Sequence, residues 1–232
     1  MKPDLRKSLI EARAKGTPVA LATNLKTGQQ RLIYLDGTEG ELCLDVDMIA
    51  AATDALRTDR STSFETSAGK VFVQVFNPPP RLIIVGAVHI AEPLARMGAL
   101  AGYGVHLIDP RRGFSERDRF PGFAIESDWP DDAMKRLKPD LRTAVVTLTH
   151  DPKLDDPALI EALCSPAFYI GALGSRKTHA ARIERLKAAG VGENEISRIR
   201  GPVGLAIGAI SPAEIAVSIL AEITQLRRGA AA

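Results

Sequence analysis

The chain has 232 residues, 45% of them hydrophobic and 25% charged, with a formal net charge of +2 at neutral pH. That is the ordinary balance of a globular protein, long enough for a Rossmann-type domain plus a small additional one. It gives no reason to expect nucleic acid as a partner. No apolar run approaches the ~20 residues that span a bilayer, and the opening Met-Lys-Pro-Asp-Leu-Arg-Lys lacks the apolar stretch of a signal peptide.

The first predicted element is a helix over Leu5 to Lys15, closed by Gly16. Val19 to Thr23, Gln30 to Leu35 and Glu41 to Val46 read as short strands, with Lys26-Thr-Gly28 and Asp36-Gly37 as turn signals. Asp47 to Arg57 has helical spacing, and Lys70 to Phe76 alternates in the manner of an edge strand. Residues 1–76 are thus expected to form a small α+β domain. Asn77-Pro-Pro-Pro80 cannot continue a helix or a central strand, so residues 77–80 read as a stiff linker.

From residue 81 to 232 strands alternate with helices, which predicts an α/β, Rossmann-like parallel sheet. Leu82 to Val85 is a continuous apolar run, as for a strand buried on both faces. The following helix carries Ile90, Leu94, Met97 and Ala101 on one stripe and stops at Gly102-Tyr-Gly104, with Pro93 tolerated in its first turn. Val105 to Ile108, Ala144 to Leu148 and Ala167 to Ile170 are further strands, and Pro157 to Leu163 is a helix. The last helix has Ser211 as N-cap, Pro212 at its first position, Glu214 completing a capping box, and Ile215, Ile219, Ile223 and Leu226 as its buried stripe.

Three loops carry chemistry. The first is Gly86-Ala87-Val88-His89-Ile90-Ala91, where a dinucleotide-binding turn would bring its backbone and a helix N-terminus to a pyrophosphate. Its first glycine is present and Ala91 can replace the third. Val88 stands in place of the second, and its branched side chain would project where a diphosphate touches backbone. Asp109 closes the next strand about 20 residues on, where a ribose-binding acid belongs. Arg111 and Arg112 follow it, either to meet a phosphate or as a solvated loop.

The second loop is Gly171-Ala-Leu-Gly174-Ser175-Arg176-Lys177, leading into a helix through Ile183 and Leu186. Ser175 can cap that helix. Two cations in its first turn oppose the helix dipole, which hints at an anionic ligand; an ordinary turn with exposed basic residues is the alternative. The third is Gly201-Pro-Val-Gly204-Leu-Ala-Ile-Gly208-Ala, whose glycines suggest close approach to a ligand or partner.

Neither the histidines nor the cysteines show metal-ligand spacing. His89 and His150 occupy positions where open sheets place ligands, whereas His106 and His179 read as structural. Cys43 and Cys164 lie too far apart for a disulfide framework, which fits a reducing compartment. Cys164 reads as core. Cys43 reads as a ligand candidate or as packing within a strand-like segment. No nucleophile, base and orienting residue can be read as a set, so no catalytic residue is expected.

Together these blocks resemble the xanthine dehydrogenase accessory family (XdhC/CoxI family). The resemblance runs from about Pro78 to Arg228. It rests on Pro-Pro-Arg-Leu-Ile-Ile-Val-Gly86, Val-His-Leu-Ile-Asp109-Pro-Arg111, Thr147-Leu-Thr-His150-Asp151, Tyr169-Ile-Gly-Ala-Leu-Gly-Ser-Arg176-Lys, Gly201-Pro-Val-Gly-Leu-Ala-Ile-Gly208-Ala and Pro212-Ala-Glu-Ile-Ala-Val-Ser-Ile-Leu-Ala-Glu222-Ile. The family's first turn usually reads Gly-Ala-Gly-His, from which Val88 departs. Its N-terminal Gly-Ser-Ser-Pro-Arg segment is missing here, and its Gly-Gly-Cys-Val-Glu segment corresponds to Glu41-Leu-Cys43-Leu-Asp45 without the glycines.

The resemblance implies a cytoplasmic maturation factor, not itself an enzyme. Such a protein binds the molybdenum cofactor (molybdopterin) transiently, protects it while a cysteine desulfurase supplies sulfur, and hands it to an apo molybdenum hydroxylase of the xanthine or carbon monoxide dehydrogenase type. Gly171, Gly174, Ser175 and Arg176 are the first candidates for the anion site. Gly86, His89, Asp109 and Arg111 come second, and Cys43 has a cofactor role only by resemblance. The competing expectations are an NAD(P)-dependent oxidoreductase and a degenerate protein-interaction module, with a homodimer left open.

Overall fold

The computed structural model describes residues 1–111 and 119–229; Arg112 lies outside them. The chain divides into two compact units, Met1–Pro78 and Pro79–Ala232.

The first unit is an antiparallel sheet of order β3-β2-β1-β5-β4 with one helix on each face. Its elements are α1 (Pro3–Ala14), β1 (Val19–Asn24), β2 (Gln30–Ile33), β3 (Thr38–Gly40), α2 (Val46–Thr58), β4 (Thr62–Thr66) and β5 (Gly69–Phe76). Alternation in β1 divides its side chains between the helices. Val19 and Leu21 join Leu5, Leu9 and Ala12 of α1, while Ala20 and Ala22 join Ala52, Ala55 and Leu56 of α2.

Two expectations are corrected here. The strand-like segment Glu41 to Val46 is not a strand: the chain leaves β3 at Gly40, and Asp45 accepts a hydrogen bond from the Met48 amide as the N-cap of α2. Lys70 to Phe76 is not an edge strand, because β5 lies between β1 and β4. Its alternation arises from one well-covered face, where Val71 and Val73 are buried, opposite a face on which Phe72 stays exposed.

The second unit holds β6 (Arg81–Val85), α3 (Ala91–Leu100), β7 (Gly104–Ile108), β8 (Ile125–Glu126), α4 (Pro130–Leu137), β9 (Thr143–Thr147), α5 (Pro152–Leu163), β10 (Tyr169–Ala172), α6 (Arg176–Ala188), α7 (Glu193–Ile196), β11 (Ile199–Arg200) and α8 (Pro212–Arg228). Its sheet is parallel throughout, in the order β11-β10-β9-β6-β7-β8. Counted within the unit this is the doubly wound order 3-2-1-4-5-6 read from the other side, with its switch point between β6 and β9. Leu82 and Ile84 pack with α3 and α8, while Ile83 and Val85 pack with α4, α5 and α6. Both faces are covered, so the β6 run has no alternation to show.

Helix α5 begins at Pro152, five residues before the predicted start, with Asp151 as its N-cap and Pro157 inside it. Cys164, expected in the core, is the exposed C-cap of α5, and Ala101 and Leu226 likewise lie outside the buried stripes of their helices.

Candidate functional site

Because the strands of the second unit run parallel, the segments that follow them gather at one edge of the sheet. Gly86 begins the segment after β6 at φ +107°, and a Cβ there would lie 2.5 Å from Thr149 Cγ2 and 3.3 Å from the Thr149 amide nitrogen. The glycine is required because the segments after β6 and β9 touch at the switch point. Val88 does not stand free in the turn; it is half-buried and packs against the apolar cluster on the α3 side.

Asp109 follows β7 and is almost wholly buried. Its Oδ2 accepts from the Ala87 amide (2.7 Å) and Arg111 Nη2 (2.8 Å), and its Oδ1 from the Arg111 amide (3.0 Å) and Nε (2.9 Å). Burial by itself would raise its pKa, but the Arg111 guanidinium and the two backbone amides outweigh it and hold the carboxyl below its ordinary range. The acid at the expected ribose position is therefore already engaged by the glycine turn and by Arg111. His89 is exposed, with Arg119 Nη2 3.3 Å from its Nδ1.

After β9, Asp155 of α5 organises the chain. Its Oδ1 accepts from the Thr149 hydroxyl (2.6 Å) and amide (3.3 Å), and its Oδ2 accepts from the amide of His150 (3.1 Å). His150 is exposed at φ +60°. Arg182 of α6 approaches Asp155 to 3.7 Å and donates through Nη2 to the Leu173 carbonyl at 2.8 Å. Both side chains are 2% exposed. Burial raises the Asp155 pKa and lowers that of Arg182, each opposed by the other's charge.

After β10, Gly174 at φ +144° turns the chain into α6. Ser175 is the N-cap, its Oγ accepting from the Thr178 amide at 3.1 Å. Arg176 and Lys177 are exposed in a first turn that contains no acid. Gly171 does not belong to this turn: it is buried within β10, and a Cβ there would meet Val203 Cγ2 at 2.5 Å and Tyr169 Cε1 at 2.8 Å. Its smallness serves packing.

The third glycine loop likewise turns inward at two of its glycines. A Cβ on Gly201 would strike the His179 ring and one on Gly204 would strike Ser218 of α8, so their close approach is to protein. Glu222 of α8 accepts through Oε2 from the Gly204 amide (2.9 Å) and the Tyr169 hydroxyl (2.5 Å). Burial and the Glu222 carboxylate push the Tyr169 hydroxyl well above its ordinary pKa.

The first-unit Cys43 is exposed on the segment between β3 and α2, its Sγ 3.9 Å from the Glu41 carbonyl oxygen. Among the described residues no group of three or more His, Cys, Asp or Glu side chains is placed to hold a metal ion. No helix among them is long and apolar enough to cross a membrane.

The family description "XdhC Rossmann domain" matches residues 82–223, which is more than half of the chain. The chain belongs to the XdhC family. Among its relatives is the molybdenum cofactor insertion chaperone PaoD of Escherichia coli K12, 34% identical over 152 residues, or 66% of this chain and 42% of that one. A probable xanthine dehydrogenase subunit from Bacillus subtilis 168 is 35% identical over 159 residues, 68% of this chain and 46% of the relative. An uncharacterised Escherichia coli K12 protein, YqeB, is 33% identical over 165 residues, covering 70% and 30%. The crystal structure of a xanthine dehydrogenase from Bacillus halodurans matches with a TM-score of 0.69 at 26% identity, covering 99% of this chain and 66% of that one. The chain thus spans less than half the length of the curated relatives it matches.

Within this XdhC domain Gly86 and His89 follow β6, Asp109 and Arg111 follow β7, and Gly174, Ser175 and Arg176 follow β10, all on the same edge of the parallel sheet. Sequence reasoning missed Asp155 and Arg182. One signal was available for the arginine: it lies four residues before buried Leu186, on the inward stripe of α6.

Proposed function

We propose that this chain is a maturation factor that binds the molybdenum cofactor at the C-terminal edge of its parallel sheet. It assists the cofactor's sulfuration, with sulfur supplied by a cysteine desulfurase, and hands the cofactor to an apo molybdenum hydroxylase. The observation that carries this reading is the XdhC Rossmann edge itself. It keeps a helix N-terminus suited to a phosphate at Gly174 to Lys177, while the acid that would take an NAD ribose is spent on Arg111 and Ala87. The name of the relative PaoD supports the same reading.

The residues present fit the phosphate-bearing part of such a cofactor: two exposed cations, a capped helix start, and a positive-φ glycine. Their work is to bind and orient it; the reactive chemistry is supplied by the cofactor's metal centre and dithiolene. An NAD(P) oxidoreductase would instead need Asp109 to release Arg111 and the Val88 turn to admit a diphosphate.

The test is to incubate the purified chain with molybdopterin, remove the unbound fraction by gel filtration, and assay retained pterin by fluorescence after oxidation. About one pterin per chain is expected, with transfer to an apo-hydroxylase measured as recovered activity. Absence of retained pterin, together with normal hydroxylase maturation in cells lacking the chain, would refute the reading.

A further inference from the structure

Helices α5 and α6 are joined by two ion pairs that differ in kind. Arg185 meets Asp156 in a bidentate arrangement, Nε to Oδ2 at 2.6 Å and Nη2 to Oδ1 at 3.0 Å. That pair has the well-formed bidentate geometry of a structural link between the two helices. Arg182, although far more buried, meets Asp155 only at 3.7 Å, because the Asp155 oxygens are committed to Thr149 and His150. Among the described residues its Nε and Nη1 have no hydrogen-bond partner at all. An unpaired buried donor costs stability, and more so on a charged group. A guanidinium with two such atoms is therefore a poor structural device.

Its position suggests what it serves. The long side chain runs back toward the start of α6, as helix geometry directs, and Nη2 holds the Leu173 carbonyl. The empty Cβ position of Gly174 is bordered by Thr178 Cγ2 (3.0 Å), Thr178 Cβ (3.1 Å) and Arg182 Nη2 (3.8 Å). Among the described residues the buried Thr147 hydroxyl also has no hydrogen-bond partner, although the Thr147 carbonyl accepts from the Leu173 amide. Two residues with unpaired polar atoms, Arg182 and Thr147, thus both hydrogen-bond to the backbone of Leu173, just before the turn whose next residues present the first amides of α6. Those amides have no intrahelical acceptor.

We propose that the turn from Leu173 to Lys177 is a phosphate-class oxyanion site, and that Arg182 is its buried cation. The oxyanion sits on the Arg176 and Lys177 amides, and the turn shifts to let the unpaired N–H groups of Arg182 reach it. Exposed Arg176 and Lys177 attract the anion; Arg182 supplies the desolvated charge that retains it. This deepens the cofactor reading by naming which end of the sheet edge takes the phosphate, and it rests on that reading only for the identity of the whole ligand.

The test titrates the full chain with inorganic phosphate and pyrophosphate at low ionic strength, with chloride as the control, by calorimetry. Saturable binding of one anion per chain is expected, at least tenfold weaker in Arg182→Met and severalfold weaker in Lys177→Ala. In nitrogen-15 spectra of the wild type, the Arg182 Nε–H resonance should shift with phosphate. That measurement serves equally if Arg182→Met fails to fold. The proposal is overturned by no saturable binding, by equal binding in a folded Arg182→Met, or by shifts confined to exposed arginines such as Arg176. A chain that retains pterin yet binds neither anion overturns this inference alone. One that binds the anions but retains no pterin overturns the cofactor reading alone.

Discussion

Gly86 satisfies two constraints at once: a φ of +107°, which side chains rarely adopt, and contact with Thr149, where a Cβ would clash. Gly86→Ala should therefore cost roughly 2–4 kcal/mol, combining backbone strain and overpacking, measurable as a shift of the urea midpoint. Asp109 supplies a pH signature. Its carboxyl is more acidic in the native chain than the ordinary 3.8, so the unfolded chain takes up the proton first as pH falls. The stabilisation it contributes is complete well above 3.8 and is lost as pH drops through the native pKa. Urea midpoints at about pH 6 and about pH 3 should fall less in Asp109→Asn than in the wild type. The positions of Gly86 and Asp109 were legible because a doubly wound strand places its glycine and its acid at set offsets. That Asp109 is occupied by Arg111 was not legible, since a bond between residues two apart in a loop leaves no periodic trace. For Arg182 the spacing to Leu186 could report an inward position, but not its partners, which come from α5 and from the residue after β10.

At the scale of elements, α8 shows local sequence and local structure in agreement. The Ser211 hydroxyl accepts from the Glu214 amide and the Glu214 carboxylate accepts from the Ser211 amide, with Pro212 at the first position. Ser211→Ala should destabilise the chain by about 1 kcal/mol, read from thermal or urea denaturation. Such caps are local, so this helix start could be read from four residues. The same logic misplaced Glu41 to Val46, whose alternation resembles a strand. What decides there is Asp45, which serves α2 as a cap and ends the extended run. For β5 the alternating pattern was visible but its neighbours were not, because covering one sheet face produces the same pattern at the edge and in the middle. The two-residue strands β8 and β11 are too short to carry any pattern.

At the scale of the molecule, each unit has its own apolar clusters, two in each among the described residues. The second unit covers both faces of its sheet with its own helices. Residues 79–232 expressed alone should therefore fold cooperatively, with a single urea transition and a helical circular dichroism spectrum. A non-cooperative, spectrally disordered fragment would contradict that expectation. The α/β character of this unit was legible because buried parallel strands and amphipathic helices alternate in sequence. The strand order was not, since it depends on pairings among distant segments.

That order has a consequence for association. Both margins of the parallel sheet, β8 and β11, are only two residues long. A margin so short offers hardly any row of open amides and carbonyls on which a foreign strand could template itself. The wide, strongly apolar β6 and β9 lie in the interior, out of reach of such pairing. The arrangement protects the second unit against fibril-type growth at its sheet margins.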